Sequence, residues 1–218
     1  MCSERQTLLY SADLIRADLN PRVVPAHEEI MAGEGEALLD EGSASPGIGS
    51  PHAIPGPTSL NFGKFMKAFQ DYYPENLAHC YGCGRLNTQG HQIKTYWDGD
   101  ETVTRFTPEA CHTAVPGFTY GGLIASLIDC HSTGTAAAAM YRAEGREMDT
   151  LPAFRFVTGS LKVDFLKPTP IASVLEIRGR VKEIKGRKVI VETTVWVDGI
   201  ATARGDVVAV QMPDSFGT

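Results

Sequence analysis

Two glycines, Gly121 and Gly122, stand directly ahead of an apolar, alanine-rich run, and an aspartate, Asp129, lies inside that run between Ile128 and Cys130. If the run is a helix, the glycines leave its first backbone N–H groups uncovered by side chains, at the positive end of the helix dipole. Donors so placed hold a developing oxyanion, and each contributes on the order of 3 kcal/mol in acyl transfer. A carboxylate in apolar surroundings costs free energy unless it is used or paired. That marks Asp129 as a general base or nucleophile, against the plainer reading of an aspartate that satisfies a buried backbone group or a neighbouring serine. At about 1.5 Å of rise per residue, Gly122 and Asp129 are roughly 10 Å apart along one helix. They reach the same carbonyl carbon only if two helices meet, antiparallel across a two-fold axis, which makes two equivalent sites in a dimer.

Other reactive side chains carry weaker signals. Cys80-Tyr81-Gly82-Cys83 has the spacing of a metal-ligand pair, but a structural zinc site takes four ligands, and His79, His91, Cys111 and His112 form no second clean pair. It reads as a turn with incidental thiols; no metal and no cofactor are expected. The 5 cysteines show no disulfide-framework spacing, which fits a reducing compartment. His112, in the loop ahead of Tyr120, is a candidate for lining a substrate pocket, with a solvated loop histidine as the alternative. His131 is two residues from Asp129, so it points to another helix face and reads as structural. Trp97 and Trp196 read as strand packing.

The elements that must position these residues follow from periodicity. Strand-like runs occupy Ile93 to Phe106, broken by Asp98-Gly99-Asp100, then Thr158 to Leu166, Val174 to Ile184, Lys188 to Val197 and Ile200 to Gln211. Between the first and second lies Gly122 to Tyr141, apolar almost all round, which predicts a helix buried on several sides. One long helix followed by an antiparallel meander predicts an α+β layer in which the sheet wraps the helix. Upstream, residues 8–19 and 27–39 have helical spacing, and the segment from Glu41 to Pro57 is too rich in Gly, Pro and Ser for regular structure. The division expected is a helical N-terminal arm with a linker over 1–57, then one domain over 58–218 with its core at about 76–211.

Bulk composition narrows the classes. A net charge of −6 over 218 residues argues against general affinity for nucleic acid, and 43% hydrophobic with 21% charged residues is ordinary for a globular chain. No apolar run approaches the roughly 20 residues that span a bilayer, and the N-terminus has no basic segment followed by an apolar core. The expectation is a cytoplasmic protein without membrane or nucleic-acid partners.

Four strings taken together resemble the hotdog-fold thioesterases, in their PaaI-like and THEM4-like branch. These are Cys80-Tyr-Gly-Cys-Gly84, Tyr120-Gly121-Gly122, Asp129, and Thr158-Gly-Ser-Leu-Lys-Val-Asp-Phe-Leu-Lys-Pro168. The resemblance covers about 76–211 and implies a hotdog fold, a homodimer or dimer of dimers, and hydrolysis of an acyl-coenzyme A. It further implies that Gly121 polarises the thioester carbonyl, with Gly122 beside the substrate, and that Asp129 activates water or attacks. Thr158 from the partner chain would orient water or substrate, and Ser160 of the same strand would line the binding site. At Tyr120 the family pattern has histidine; a phenol donates a hydrogen bond but does not titrate near neutral pH. Coenzyme A carries phosphates, and Lys185, Arg187 and Lys188 form the basic turn expected to meet them. The competing functions are a non-catalytic acyl-CoA sensor, which has no use for a carboxylate at position 129, and a hotdog hydratase or dehydratase, whose paired Asp and His the loop at Cys111-His112 does not reproduce.

Because the linker separates residues 1–57 from every motif residue, a chain beginning at Thr58 is expected to fold and keep its turnover. Circular dichroism and thiol release from an acyl-CoA check this; an insoluble or inactive product would show that the arm completes the core or the site.

Overall fold

In this computed structural model the described residues are 67–213. The helices and linker predicted over 1–57 lie outside them.

Three short turns set the topology. Gly99, Gly186 and Gly199 take φ values of 63°, 56° and 76°, the left-handed region that favours glycine, each between two strands. They join β1 (Thr95–Asp98) to β2 (Glu101–Phe106), β6 (Leu175–Lys185) to β7 (Lys188–Val197), and β7 to β8 (Ile200–Gln211). With β5 (Phe156–Phe165), these strands form one antiparallel six-stranded sheet in the order β1-β2-β6-β7-β8-β5. A small ribbon of β3 (Thr113–Val115) and β4 (Phe118–Thr119) leads into a long helix, α1 (Gly121–Ala143). The sheet curves around α1, so the α+β hotdog arrangement expected from the sequence is the one observed. The strand and helix boundaries agree with the sequence expectation to within a turn of helix or two strand residues.

The helix is buried along its length. Leu123, Ile124, Leu127 and Ile128 pack with Leu175, Ile177, Val195 and Val207, and farther on Ala136, Ala137 and Tyr141 pack with Val189, Val191 and Ala209. A helix apolar on all sides has no stripe to choose its rotation. Polar contacts choose it instead. His131, fully buried, holds Thr104 Oγ1 through Nδ1 at 2.9 Å and Thr102 Oγ1 through Nε2 at 3.0 Å, while Ser132 Oγ meets Thr193 Oγ1 at 2.8 Å. Burial drives the His131 imidazole down to a pKa of about 3, so it stays neutral, and the structural role expected for it is observed. Two glycines let the helix descend onto the sheet. A Cβ at Gly205 would lie 2.4 Å from Ile128 Cγ2, and one at Gly179 would lie 2.6 Å from His131 Nε2.

The packed structure begins earlier than the expected core. Phe69 and Gln70 are buried in a 3-10 turn, Phe69–Tyr72. The Gln70 amide acts as an extra strand partner for β1: Nε2 donates to Thr95 Oγ1 and Oε1 accepts from Thr95 N–H, both at 2.9 Å. Such a turn is too short to show periodicity, and a glutamine gives no hydrophobic signal.

Gly205→Ala is expected to push Ile128, and with it the turn of α1 that carries Asp129, away from β8. The cost of overpacking is about 1–3 kcal/mol, readable as a lowered urea midpoint at unchanged m-value.

Candidate active site

The glycine pair forms the first turn of α1. Tyr120 is the N-cap, in extended conformation (φ −60°, ψ 128°), and its carbonyl accepts from Leu123 N–H at 3.1 Å and Ile124 N–H at 3.3 Å. The N–H groups of Gly121 and Gly122 precede that first closure, as orphan donors of a helix N-terminus do. The Tyr120 ring lies across Gly122 so closely that a Cβ there would stand 2.4 Å from ring carbons and 2.5 Å from the phenol oxygen. Any side chain there would have to displace the exposed Tyr120 ring. A cavity of about 350 Å³ opens at this end of the helix, with Phe118, Ile124, Phe165 and Leu166 as apolar wall and Gly121 and the exposed Lys167 at its border.

Asp129 sits two helical turns on, half-buried, and Thr158 Oγ1 donates to its Oδ1. Burial raises its carboxyl above the ordinary range; the Thr158 hydrogen bond opposes this, Cys80 nearby adds to it, and Arg155 offsets part of it. Both residues belong to one chain. The β5–β8 register explains the contact. Thr158 pairs with Ala209, whose side faces the helix, and then a bulge at Gly159 shifts the register so that Ser160 pairs with Val208 and Leu161 with the buried Val207. Cross-strand partners share a face, so the bulge turns Ser160 away from α1. Ser160 therefore does not line the site with Thr158 in this chain, contrary to expectation.

The remaining candidates divide. His112 serves through its carbonyl, which accepts from Tyr120 N–H at 2.8 Å and so fixes the N-cap. Its ring packs against His91 and Phe106, with centroids 5.4 and 5.9 Å away, and Nδ1 accepts from Glu109 N–H at 2.9 Å. Lys185, Arg187 and Lys188 do not join the cavity of their own chain. Val189, next to their turn, packs beside Ala136 and Ala137, at the opposite end of α1 from Gly121, and Arg187 Nη2 donates to Gln211 O at 2.5 Å. Lys167, which the sequence reading passed over, is the cation at the cavity; the signal available for it was its place in the Lys-Pro that ends the β5 motif.

Near the same helix, Cys130 brings a third thiol to Cys80 and Cys83, the three Sγ atoms all within 4.8 Å of one another. Cys130 stands 47 residues beyond Cys83 in the chain (130 − 83), so sequence spacing gave no reason to group it with the pair.

Residues 116–203 match the family model described as the thioesterase superfamily. Among curated proteins, the mouse acyl-coenzyme A thioesterase THEM4 is 35% identical over 94 residues, covering 43% of this chain and 35% of the relative. Its Xenopus laevis counterpart is 37% identical over 87 residues, 40% of this chain and 33% of the relative. The matched segment thus spans about a third of the length of these relatives. Among solved structures, a thioesterase superfamily protein from Shewanella loihica is 46% identical, with 63% of this chain and 97% of that one covered and a TM-score of 0.49. With that identity sustained over nearly the whole of the Shewanella loihica protein, this chain belongs to the thioesterase superfamily.

Proposed function

We infer that the chain hydrolyses the thioester of an acyl-coenzyme A, with Asp129 as the base that activates water. The observation that carries this is the half-buried Asp129 carboxylate bonded by Thr158 on the helix whose first turn is Gly121-Gly122. Thr158 occupies Oδ1, and Oδ2 is then the atom that accepts a proton from water. Desolvation makes the carboxylate a stronger base than one in solvent. A protein that only bound acyl-CoA would gain nothing from such a group.

The oxyanion donor comes from a second copy. Gly121 is the first residue of α1 and Asp129 is eight residues on, about 12 Å along the axis, too far to serve one carbonyl from one chain. Support for a dimer comes from β5, which lies at an edge of the sheet with its helix-facing Leu161 and Phe165 37% and 57% exposed. A ten-residue edge strand with open apolar side chains is a surface that a second chain covers. Gly121 N–H of one chain polarises the carbonyl, Asp129 of the other delivers water, and the acyl group lies against Phe118, Ile124 and Phe165. Lys167 at the cavity meets a coenzyme A phosphate. The names of the THEM4 relatives supply the same substrate class independently.

Asp129→Asn is expected to lower kcat by about a hundredfold or more with the fold intact, since the amide keeps the volume and loses the base. Unchanged turnover in the purified variant would remove Asp129 from the mechanism.

Mixing folded Asp129→Asn and Gly121→Pro chains tests the composite site. Proline suits the first helical position, and the extended Tyr120 ahead of it tolerates it. Random pairing makes about half the dimers mixed, each with one intact site of two, so about a quarter of wild-type activity should return on co-refolding. Two folded, inactive parents whose mixture stays inactive would put both groups in one chain's site.

A further inference from the structure

We propose that Cys80, Cys83 and Cys130 bind a Zn²⁺ ion that clamps the segment before β1 to helix α1. The three sulfurs lie within 4.8 Å of one another, with Cys80 Sγ and Cys130 Sγ 3.7 Å apart. Tetrahedral zinc–thiolate bonds of about 2.3 Å hold their sulfurs about 3.8 Å apart, close to the 3.7 Å between Cys80 Sγ and Cys130 Sγ. Three soft donors without a carboxylate or carbonyl among them select a thiophilic cation over Mg²⁺ or Ca²⁺.

The surroundings are built for thiolates. In Cys80-Tyr-Gly-Cys-Gly84 the chain curls so that Gly84 N–H donates to Cys80 O at 2.8 Å, and the backbone amides of Cys83 and Gly82 lie where they favour a thiolate at Cys80. Backbone donors of this kind orient a metal-bound sulfur and spread its charge. Gly82 and Gly84 are required by the packing. A Cβ at Gly82 would stand 2.3 Å from Cys130 Sγ, and one at Gly84 would stand 2.5 Å from Cys80 N. Arg155 supplies the countercharge. Its guanidinium lies 4.3 Å over the Tyr73 ring and in the electrostatic reach of Cys83 and Cys80, its Nη1 is buried without a hydrogen-bond partner, and it forms no salt bridge among the described residues. Three thiolates on Zn²⁺ leave one negative charge, which one guanidinium offsets. A partly buried guanidinium whose Nη1 is closed off from any acceptor is costly unless something negative lies near it. The fourth tetrahedral position goes to water or another small ligand.

This inference stands apart from the thioesterase reading, and its readout is metal rather than turnover. The full chain, purified with reductant, is analysed for metal by mass spectrometry. About one zinc per chain is expected, falling at least about tenfold in Cys130→Ser. If that variant does not fold, metal-depleted wild type is titrated with Co²⁺. Thiolate-to-cobalt charge transfer and intense tetrahedral visible bands that Zn²⁺ then bleaches support the site. A folded, reduced chain that takes up neither ion at micromolar free metal, a folded Cys130→Ser variant that retains full zinc, or a Cys80–Cys130 disulfide in the reduced preparation would each overturn it.

Discussion

The constraint on which the rest of the structure depends is that α1 is enclosed by the sheet with no polar face to orient it. For an amphipathic helix, water decides which side faces out. Here that choice passes to a few directional contacts: His131 between Thr102 and Thr104, Ser132 on Thr193, and the close approaches over Gly179 and Gly205. Thr104 in turn meets Thr95, which Gln70 holds, so the rotation of the helix is tied through a buried polar chain to the segment before β1. An unsatisfied hydroxyl or imidazole in that chain would cost about 1–3 kcal/mol, which makes other rotations unfavourable.

With the helix rotation set, Asp129 faces β5, the strand with the least cover. The bulge at Gly159 lets Thr158 stay on the helix side while the strand continues toward Phe165 and the cavity. Asp129 thereby occupies an intermediate environment: dry enough to raise its basicity, yet bonded by Thr158 and within the field of Arg155, so that its charged form is supported. A fully buried carboxylate would become neutral, and a fully solvated one would be an ordinary acid.

Arg155 links two regions that the sequence keeps apart. It precedes β5 and lies over the Tyr73 ring, while its charge bears on Cys83 and on Asp129. Cys83, Cys80 and the Asp129 carboxylate thus share the field of one partly buried cation.

The order of strands, the glycine turns and the long buried helix were legible in the sequence because period-two alternation, Asp-Gly pairs and an all-apolar run are local patterns. So was Asp129, since a carboxylate in such a run is anomalous wherever the run folds. Only tertiary structure decided what meets it. Thr158 reaches Asp129 within its own chain, and Ser160 turns away, because one extra residue in β5 reverses the alternation, which no composition signal announces. Lys185, Arg187 and Lys188 form a basic turn in any fold, but the direction of β7 along α1 carries them to the far end of the helix and leaves Lys167 at the cavity. Cys130 joins Cys80 and Cys83 for the same reason. Sequence patterns specify elements through nearest neighbours, whereas a site is assembled by close packing between residues tens of positions apart.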